Sequence, residues 1–322
     1  MLIICGVINL KLKVVFIKRK HIYYIIFLLS LFILFIVFIS SKKSVSTFNV
    51  FSKDIIIKNH DLNGDGINDP VYIKTNKGKY FVQVNCNKNS YILEPSKLVN
   101  TMGSYKNYWP LTLTLADVSR DKLCEIFIQT SQNDTAIQHM FIWDNHNFKD
   151  VLSNYNNIIG LVNSHNNETP KIISANYFNS RIDFSNYILV RNKLKNYNCD
   201  YPENFIGKDT IAELINYVQN IHVQTTKIPS DIFYPNTFDN SSALINKLTV
   251  DNNKYVFEDG SFSDTEYDKD GEISQVKWKL NFKAISNLDN QKIKNYSFQV
   301  FLKSSEDNSK PYSFKITSLC FN

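Results

Sequence analysis

One nine-residue stretch limits the folds open to this chain more than any other: Asp61-Leu62-Asn63-Gly64-Asp65-Gly66-Ile67-Asn68-Asp69. Ile55-Ile56-Ile57 precede it and Val71-Tyr72-Ile73-Lys74 follow it. Those runs are β-branched and aromatic, so the stretch joins strands rather than helices. Side-chain oxygens stand at its first, third, fifth and ninth positions. Gly66 at the sixth allows a sharp turn, and Ile67 at the seventh offers a backbone carbonyl. That spacing wraps one short loop around a hard cation such as Ca2+. Three carboxylates and an amide suit Ca2+ better than a soft metal. A helix–loop–helix site would need a bidentate Glu at the twelfth position, where this chain has Tyr72, so Asp69 closes the set instead. The competing reading is a metal-free turn, because Asn-Gly-Asp-Gly between apolar runs is itself a strong turn signal.

The pattern Asp-x-Asn-x-Asp-Gly-x-x-Asp, followed directly by an apolar strand, resembles the calcium loop of FG-GAP/VCBS-type repeats, the blades of integrin-like β-propellers. The resemblance implies four-stranded antiparallel blades and a structural Ca2+ on Asp61, Asn63, Asp65, the Ile67 carbonyl and Asp69. A second copy places Asp117, Ser119, Asp121 and Glu125 at the same positions, before Ile126-Phe127-Ile128. Arg120 and Lys122 bring positive charge there, so weak or absent Ca2+ is expected, and a plain turn is the favoured reading. A third, eroded copy runs from Asn163 to Lys171; the lysine at its ninth position predicts no ion. The copies start 56 and 46 residues apart, room for a four-stranded blade. Strand-like runs at Tyr80–Val84, Leu111–Leu115 and Met140–Trp143 lie between them, and Ile182–Val190 follows the third. The resemblance covers about residues 50–190 and gives two or three blades. A closed propeller has 4–8, so a partial array needs a cap at its unpaired end.

Ile22 to Ile39 is an uncharged apolar run. At 1.5 Å per residue its length is roughly 27 Å as a helix, close to a bilayer's hydrocarbon thickness. Five Lys/Arg between Lys11 and Lys20 precede it, and only Lys42 and Lys43 follow closely. The more basic flank stays in the cytoplasm. The expectation is an uncleaved, single-pass signal-anchor in the cell membrane, at residues 22–40. A cytoplasmic tail at 1–21, a linker at 41–49 and an extracellular remainder complete the layout. The run exceeds a usual signal-peptide core, and no small-x-small cleavage site follows it. This segment also explains the chain's charge. Overall there are 36 Lys/Arg and 30 Asp/Glu, but seven of the cations and no Asp or Glu lie in residues 1–43, leaving 29 against 30. A nucleic-acid partner is therefore not expected.

The C-terminal part, residues 205–322, reads as an α+β unit. Ile211, Leu214, Ile215 and Val218 give a helical stripe within residues 209–223. Pro229 and Pro235 mark a loop. From about Ala243 the pattern is an antiparallel meander with strands at Tyr255–Phe257, Ser274–Ala284, Tyr296–Lys303 and Tyr312–Leu319. Val276, Trp278, Leu280 and Phe282 alternate with Lys277, Lys279, Asn281 and Lys283, as in a strand with one wet face. Glu266 to Ser274 mimics a calcium loop with Glu at its first position and Lys277 at its twelfth, both against binding, and Asp270-Gly271 favours an acidic hairpin tip. The predicted fold is thus mainly β: an anchor helix, two or three blades at residues 50–200, and a unit of one helix and about four strands.

Cys86, Cys124, Cys199 and Cys320 allow three pairings between which the sequence does not choose. No nucleophile-elbow, zincin, phosphate-loop or dinucleotide motif occurs, and the six His are scattered. Tyr105, Tyr108 and Trp109 are a candidate aromatic platform for a sugar ring, against a plain reading as blade core. The expected function is non-catalytic: a bacterial, membrane-anchored binding, adhesion or structural module with a protein or glycan ligand. The alternatives are a surface hydrolase of cell-wall or polysaccharide material, and a structural subunit of an envelope complex.

Overall fold

The computed structural model describes residues 60–87, 89–163, 166–197, 201–222, 227–305 and 312–322, the backbone of 55–57, and residues 19, 20, 23 and 28–31. The chain divides into two units, Met1–Ser46 and Thr47–Asn322. The expected tail and anchor lie almost wholly outside the described residues. Among the described residues no helix is long and apolar enough to cross a membrane.

The second unit is mainly β. Two four-stranded antiparallel meanders come first. One contains β1 (Ile55–Ile57), β2 (Val71–Asn76), β3 (Lys79–Cys86) and β4 (Asn89–Ile92). The next contains β5 (Thr112–Ala116), β6 (Glu125–Gln132), β7 (Thr135–Trp143) and β8 (Phe148–Asn154). A third meander of β9 (Ile158–Val162), β10 (Lys171–Phe178), β11 (Arg181–Val190) and β12 (Lys193–Asn196) follows. It does not end there. β9 pairs in parallel with β13 (Asn253–Tyr267), which continues antiparallel into β14 (Ile273–Ser286), β15 (Ile293–Ser304) and β16 (Phe314–Phe321). The result is one eight-stranded sheet in the order β12-β11-β10-β9-β13-β14-β15-β16. The blade region and the C-terminal region therefore share hydrogen bonds.

Tight turns set the meanders. Lys77-Gly78, Asn133-Asp134, Asn179-Ser180 and Arg191-Asn192 all have positive φ at both residues and join strands by two-residue loops. That backbone matches the right-handed twist of paired strands. Asn and Asp tolerate it because their side chains bond locally.

The meanders stack face to face, and strand periodicity assigns each side chain to a layer. In β6, Ile126 and Ile128 join Val71, Val82 and Val84 of the first meander in one core. Phe127 points the other way and joins Ile159, Leu161 and Ile172 of the third meander. In β7, Phe141 belongs to the first core, Met140 and Ile142 to the second. The middle meander is thus buried on both faces, which explains its near-continuous apolar strands.

The largest core lies where the eight-stranded sheet meets two helices. Helix α1 (Lys208–Asn220) buries Ile211, Leu214, Ile215 and Val218 as the spacing predicts. The Asn204 side chain caps its start by accepting from the Asp209 and Thr210 amides at 2.9 and 3.1 Å. A second helix, α2 (Asp239–Val250), departs from the expectation of one helix and of a β-meander from Ala243. Its signal is short: Leu244, Ile245 and Leu248 form one buried face, and the β-branched Thr249 and Val250 disguise it.

The expected wet face of β14 is a second departure. Lys279 and Asn281 are 2% and 8% exposed. The second meander lies over Lys279 through Thr112, Leu113 and Phe127, and just before it the Trp109 indole N–H donates to Asp259 on β13 at 2.5 Å, a carboxylate to which Asn281 also donates at 2.5 Å.

At the parallel junction Gly160 stands opposite Phe262. A Cβ at Gly160 would lie 1.9 Å from the Phe262 ring, which packs on Trp278 with centroids 4.3 Å apart. Only a bare backbone fits beneath that ring. Gly160→Ala should destabilise the fold by about 1–3 kcal/mol through overpacking. Gly160→Ala combined with Phe262→Leu should recover part of the loss in chemical denaturation; equal stability of Gly160→Ala and parent would contradict the packing account.

Candidate functional site

The first loop carries an ordered set of amide bonds. Asp61 accepts from the Gly64 N–H and the Gly66 N–H, both at 2.7 Å, and Asp65 accepts from the Ile67 N–H at 2.8 Å. Asn63 accepts from the Asp65 N–H at 2.9 Å. Asp69 is 1% exposed and accepts from the Leu62 N–H at 2.8 Å. Gly64 and Gly66 take φ of 85° and 82°, where a side chain would be strained.

The second loop repeats the carboxylate bonds of this arrangement. Asp117 accepts from the Arg120 and Lys122 amides at 2.7 and 3.0 Å, Asp121 from the Leu123 amide at 2.9 Å, and Glu125 from the Val118 amide at 2.7 Å. Arg120 and Lys122 have φ of 65° and 76°, the left-handed values of the two glycines they replace. Backbone and acceptors are retained while the residue types have drifted.

The loops are neighbours. Gly64 of the first faces Leu123 of the second, and His60 Nδ1 meets Cys124 Sγ at 3.4 Å. Arg120 reaches into the third loop, where its Nη2 donates to the carbonyls of Asn163 and Glu168 at 2.9 Å each, and to that of Asn166. A guanidinium collecting three carbonyl oxygens satisfies the backbone as a cation would. Spacing alone placed Arg120 in a failing calcium loop; its role lies in the next one.

The first loop fits Ca2+ in donor chemistry. Asp61 Oδ2 and Asp65 Oδ1 each accept one amide and keep a second lone pair, whereas Asp61 Oδ1 accepts two, from Asn63 and Gly64. Asp69 Oδ1 is buried with no donor apart from the weak Cys86 thiol, and burial raises the Asp69 carboxyl above its ordinary range. Ile67 is 54% exposed. Among the described residues no group of three His, Cys, Asp or Glu converges as a metal site, so binding would have to draw Asp61 and Asp65 inward. In the second loop, burial pushes the Glu125 carboxyl up to about 7.

The aromatic triplet does not form one platform. Trp109 is buried on Asp259, Tyr105 packs edge-on against Tyr80 with centroids 5.8 Å apart, and the Tyr108 ring is covered by Lys106 and Lys283. The described Cys86, Cys124 and Cys320 are free thiols; Cys199 lies outside the described residues. Asp268 to Glu272 forms the β13–β14 tip, with Asp268 accepting from the Asp270 and Glu272 amides at 2.9 Å each.

A second candidate site escaped the sequence reading. Between Phe257 and Asp259 the β13–β14 register slips by one, leaving Glu258 as the extra residue of a β-bulge. Bulges re-aim side chains. Glu258 is 3% exposed, and neither carboxyl oxygen has a hydrogen-bond partner. It borders a cleft of about 230 Å³ with Tyr155, Asn176, Phe178, Asp134 and Lys283. Burial, reinforced by Asp259, pushes its carboxyl up to about 9 against the pull of Lys283 and Lys106. Asp134 at the rim moves the other way, lowered chiefly by its hydrogen bond from Lys106. The signal was present. Inward residues fall on odd numbers at Tyr255 and Phe257 and on even ones at Phe262 and Asp264, a change of parity that requires one extra residue.

Comparison with protein-family models, curated proteins and solved structures finds no match to this chain.

Three outcomes follow from the site geometry. Lys122→Gly should stabilise by about 1 kcal/mol by removing left-handed strain. Arg120→Ala should destabilise by about 1–3 kcal/mol by orphaning carbonyls of the third loop; the opposite signs in urea titrations would contradict the loop account. Glu258 gives a pH test. Its folded-state value lies above the unfolded one, so the unfolded state loses its proton first and stability falls as pH rises from the ordinary carboxylate range to about 9. Glu258→Gln should match the parent near pH 4 and melt higher at pH 8. Parallel melting curves across that range would refute the buried neutral carboxyl.

Proposed function

We propose that this chain is a non-catalytic binding module of a bacterial cell surface, held by a single N-terminal anchor, with one structural Ca2+ in its first blade loop. One observation carries the reading: the first two loops share the same amide bonds at the same positions, each joining the first two strands of a four-stranded meander. That recurrence supports the FG-GAP/VCBS-like resemblance beyond sequence spacing. In the first loop Asp61, Asn63, Asp65, the Ile67 carbonyl and Asp69 would hold the ion, which supplies structural clamping there. The uncharged run at residues 22–39 supports the anchor and an extracellular second unit.

A second reading, a surface hydrolase, has one observation in its favour. Glu258 and Asp134 border one cleft, with the first carboxyl shifted up and the second down. Environments that separate two carboxyls in this way can divide acid and base roles.

The calcium reading predicts a melting temperature that rises with Ca2+ for the full chain in lipid nanodiscs. An ion that binds only the folded state adds about 2.7 kcal/mol at a hundredfold excess over Kd. Asp65→Ala should abolish the rise. A melt indifferent to Ca2+ and to chelator would overturn the structural ion. Release of reducing ends from polysaccharide, lost in Glu258→Gln and in Asp134→Asn, would replace the first reading with the second.

A further inference from the structure

We propose that the cleft beside the β13 bulge binds an uncharged saccharide, with Glu258 bonding a ligand hydroxyl at its floor. This rests on the binding-module reading and names its ligand class.

The first argument is the state of Glu258. Its two carboxyl oxygens are buried without a partner, although the strand itself is well paired on either side of the bulge. A buried polar group left unbonded costs about 1–3 kcal/mol. The neighbouring Asp259 marks the contrast: equally buried, it accepts from both Trp109 and Asn281. The fold therefore satisfies one carboxyl of the pair and leaves the other facing a cavity.

The second argument is what surrounds that cavity. Tyr155 and Phe178 at its border are 51% and 65% exposed, unusual for large rings beside a buried polar group. Asn176, partly buried on β10, has an uncommitted side-chain amide among the described residues. Apolar ring faces with an amide and a carboxyl between them match a sugar. A sugar presents C–H faces for stacking and hydroxyls that both donate and accept. A cavity of about 230 Å³ is below the range of about 300 Å³ and upward typical for drug-sized ligands, and so fits a short part of a chain.

The third argument is charge. Lys106 pairs with Asp134, and Lys283 stands 3.8 Å from the same carboxylate. Both ammonium groups also lie 5.6 Å from the centre of the Tyr108 ring. Asp134 offsets one of the two positive charges and the Tyr108 ring face holds both ammonium groups, so an acidic guest would have to draw a lysine out of contacts it already makes. An uncharged guest is the one the cleft accepts without disrupting its rim.

The experiment uses the full chain in lipid nanodiscs, with cellohexaose, maltohexaose and N-acetylchitohexaose as uncharged probes and polygalacturonate as the anionic comparison. Saturation-transfer NMR detects binding, and calorimetry measures it. At least one uncharged hexamer should bind. Glu258→Ala and Phe178→Ala should each weaken it about tenfold, the loss expected for one hydrogen bond or one stacking contact. Glu258→Gln keeps a neutral donor and acceptor and should stay within about threefold. Phe178 is exposed, so its variant decides the matter if Glu258→Ala does not fold. Binding by none of the three hexamers, by polygalacturonate alone, or unchanged in both Glu258→Ala and Phe178→Ala would overturn the proposal. A calcium-dependent melt without saccharide binding would sink this assignment and leave the module reading. Shortening of a bound hexamer would support the cleft and overturn the non-catalytic reading.

Discussion

The amide bonds inside the loops that join the first two strands of the first and second meanders are the interaction on which the array depends. A carboxylate at the first position takes the N–H groups of the fourth and sixth, and a buried carboxylate at the ninth takes that of the second. Without these acceptors a turn packed against its neighbours would leave backbone donors unpaired, at a cost comparable to lost hydrogen bonds. With them, the loop fixes where the second strand begins, and so which faces of that strand reach each core. The same bonds occur in two loops of different residue type, so the backbone scheme does not depend on glycine at the fourth and sixth positions. The cation is the variable part. The first loop keeps oxygen ligands, the second carries its own positive side chains, and the third receives Arg120 from its neighbour.

An open stack of meanders has an exposed last face and a free edge. This chain deals with both. The free edge of β9 takes β13 in parallel, and the outer face of the third meander becomes part of the helix-covered core. Gly160 is what lets Phe262 lie across that joint. The joint also has a consequence for binding. Four residues before Phe262 the register slips, and Glu258 is turned into a cleft bordered by the second meander, the third meander and β14. Cap and candidate ligand site are therefore built by one strand.

Much of this was legible in the sequence because it rests on short-range pattern. The loop spacing and its recurrence in the second loop, the strands of β14 and β15 and the stripe of α1 depend on periods of two, of 3.6, or on fixed offsets within a loop. What escaped depends on distant partners. Nothing local in Lys277 to Lys283 announces that Trp109 and its meander will cover the middle of that face. Nothing local in Arg120 says that its guanidinium serves a loop more than forty residues away. The abundant Asn, easily discounted as compositional bias, turned out to hold left-handed positions at Asn133, Asn179 and Asn192. Helix α2 was hidden by β-branched residues at its end, and Glu258 by a parity change that reads as noise until the partner strand is known.

The central claim is that one loop plan serves the first two meanders and that only the first retains a place for a divalent cation. Anomalous diffraction from crystals grown in Ca2+ tests it most directly. The account predicts a single strong peak among these loops, enclosed by Asp61, Asn63, Asp65 and Asp69, with density for the Arg120 guanidinium alone at the third loop. No peak at the first loop, or an ion beside Asn163 and Glu168 with Arg120 displaced, would contradict it.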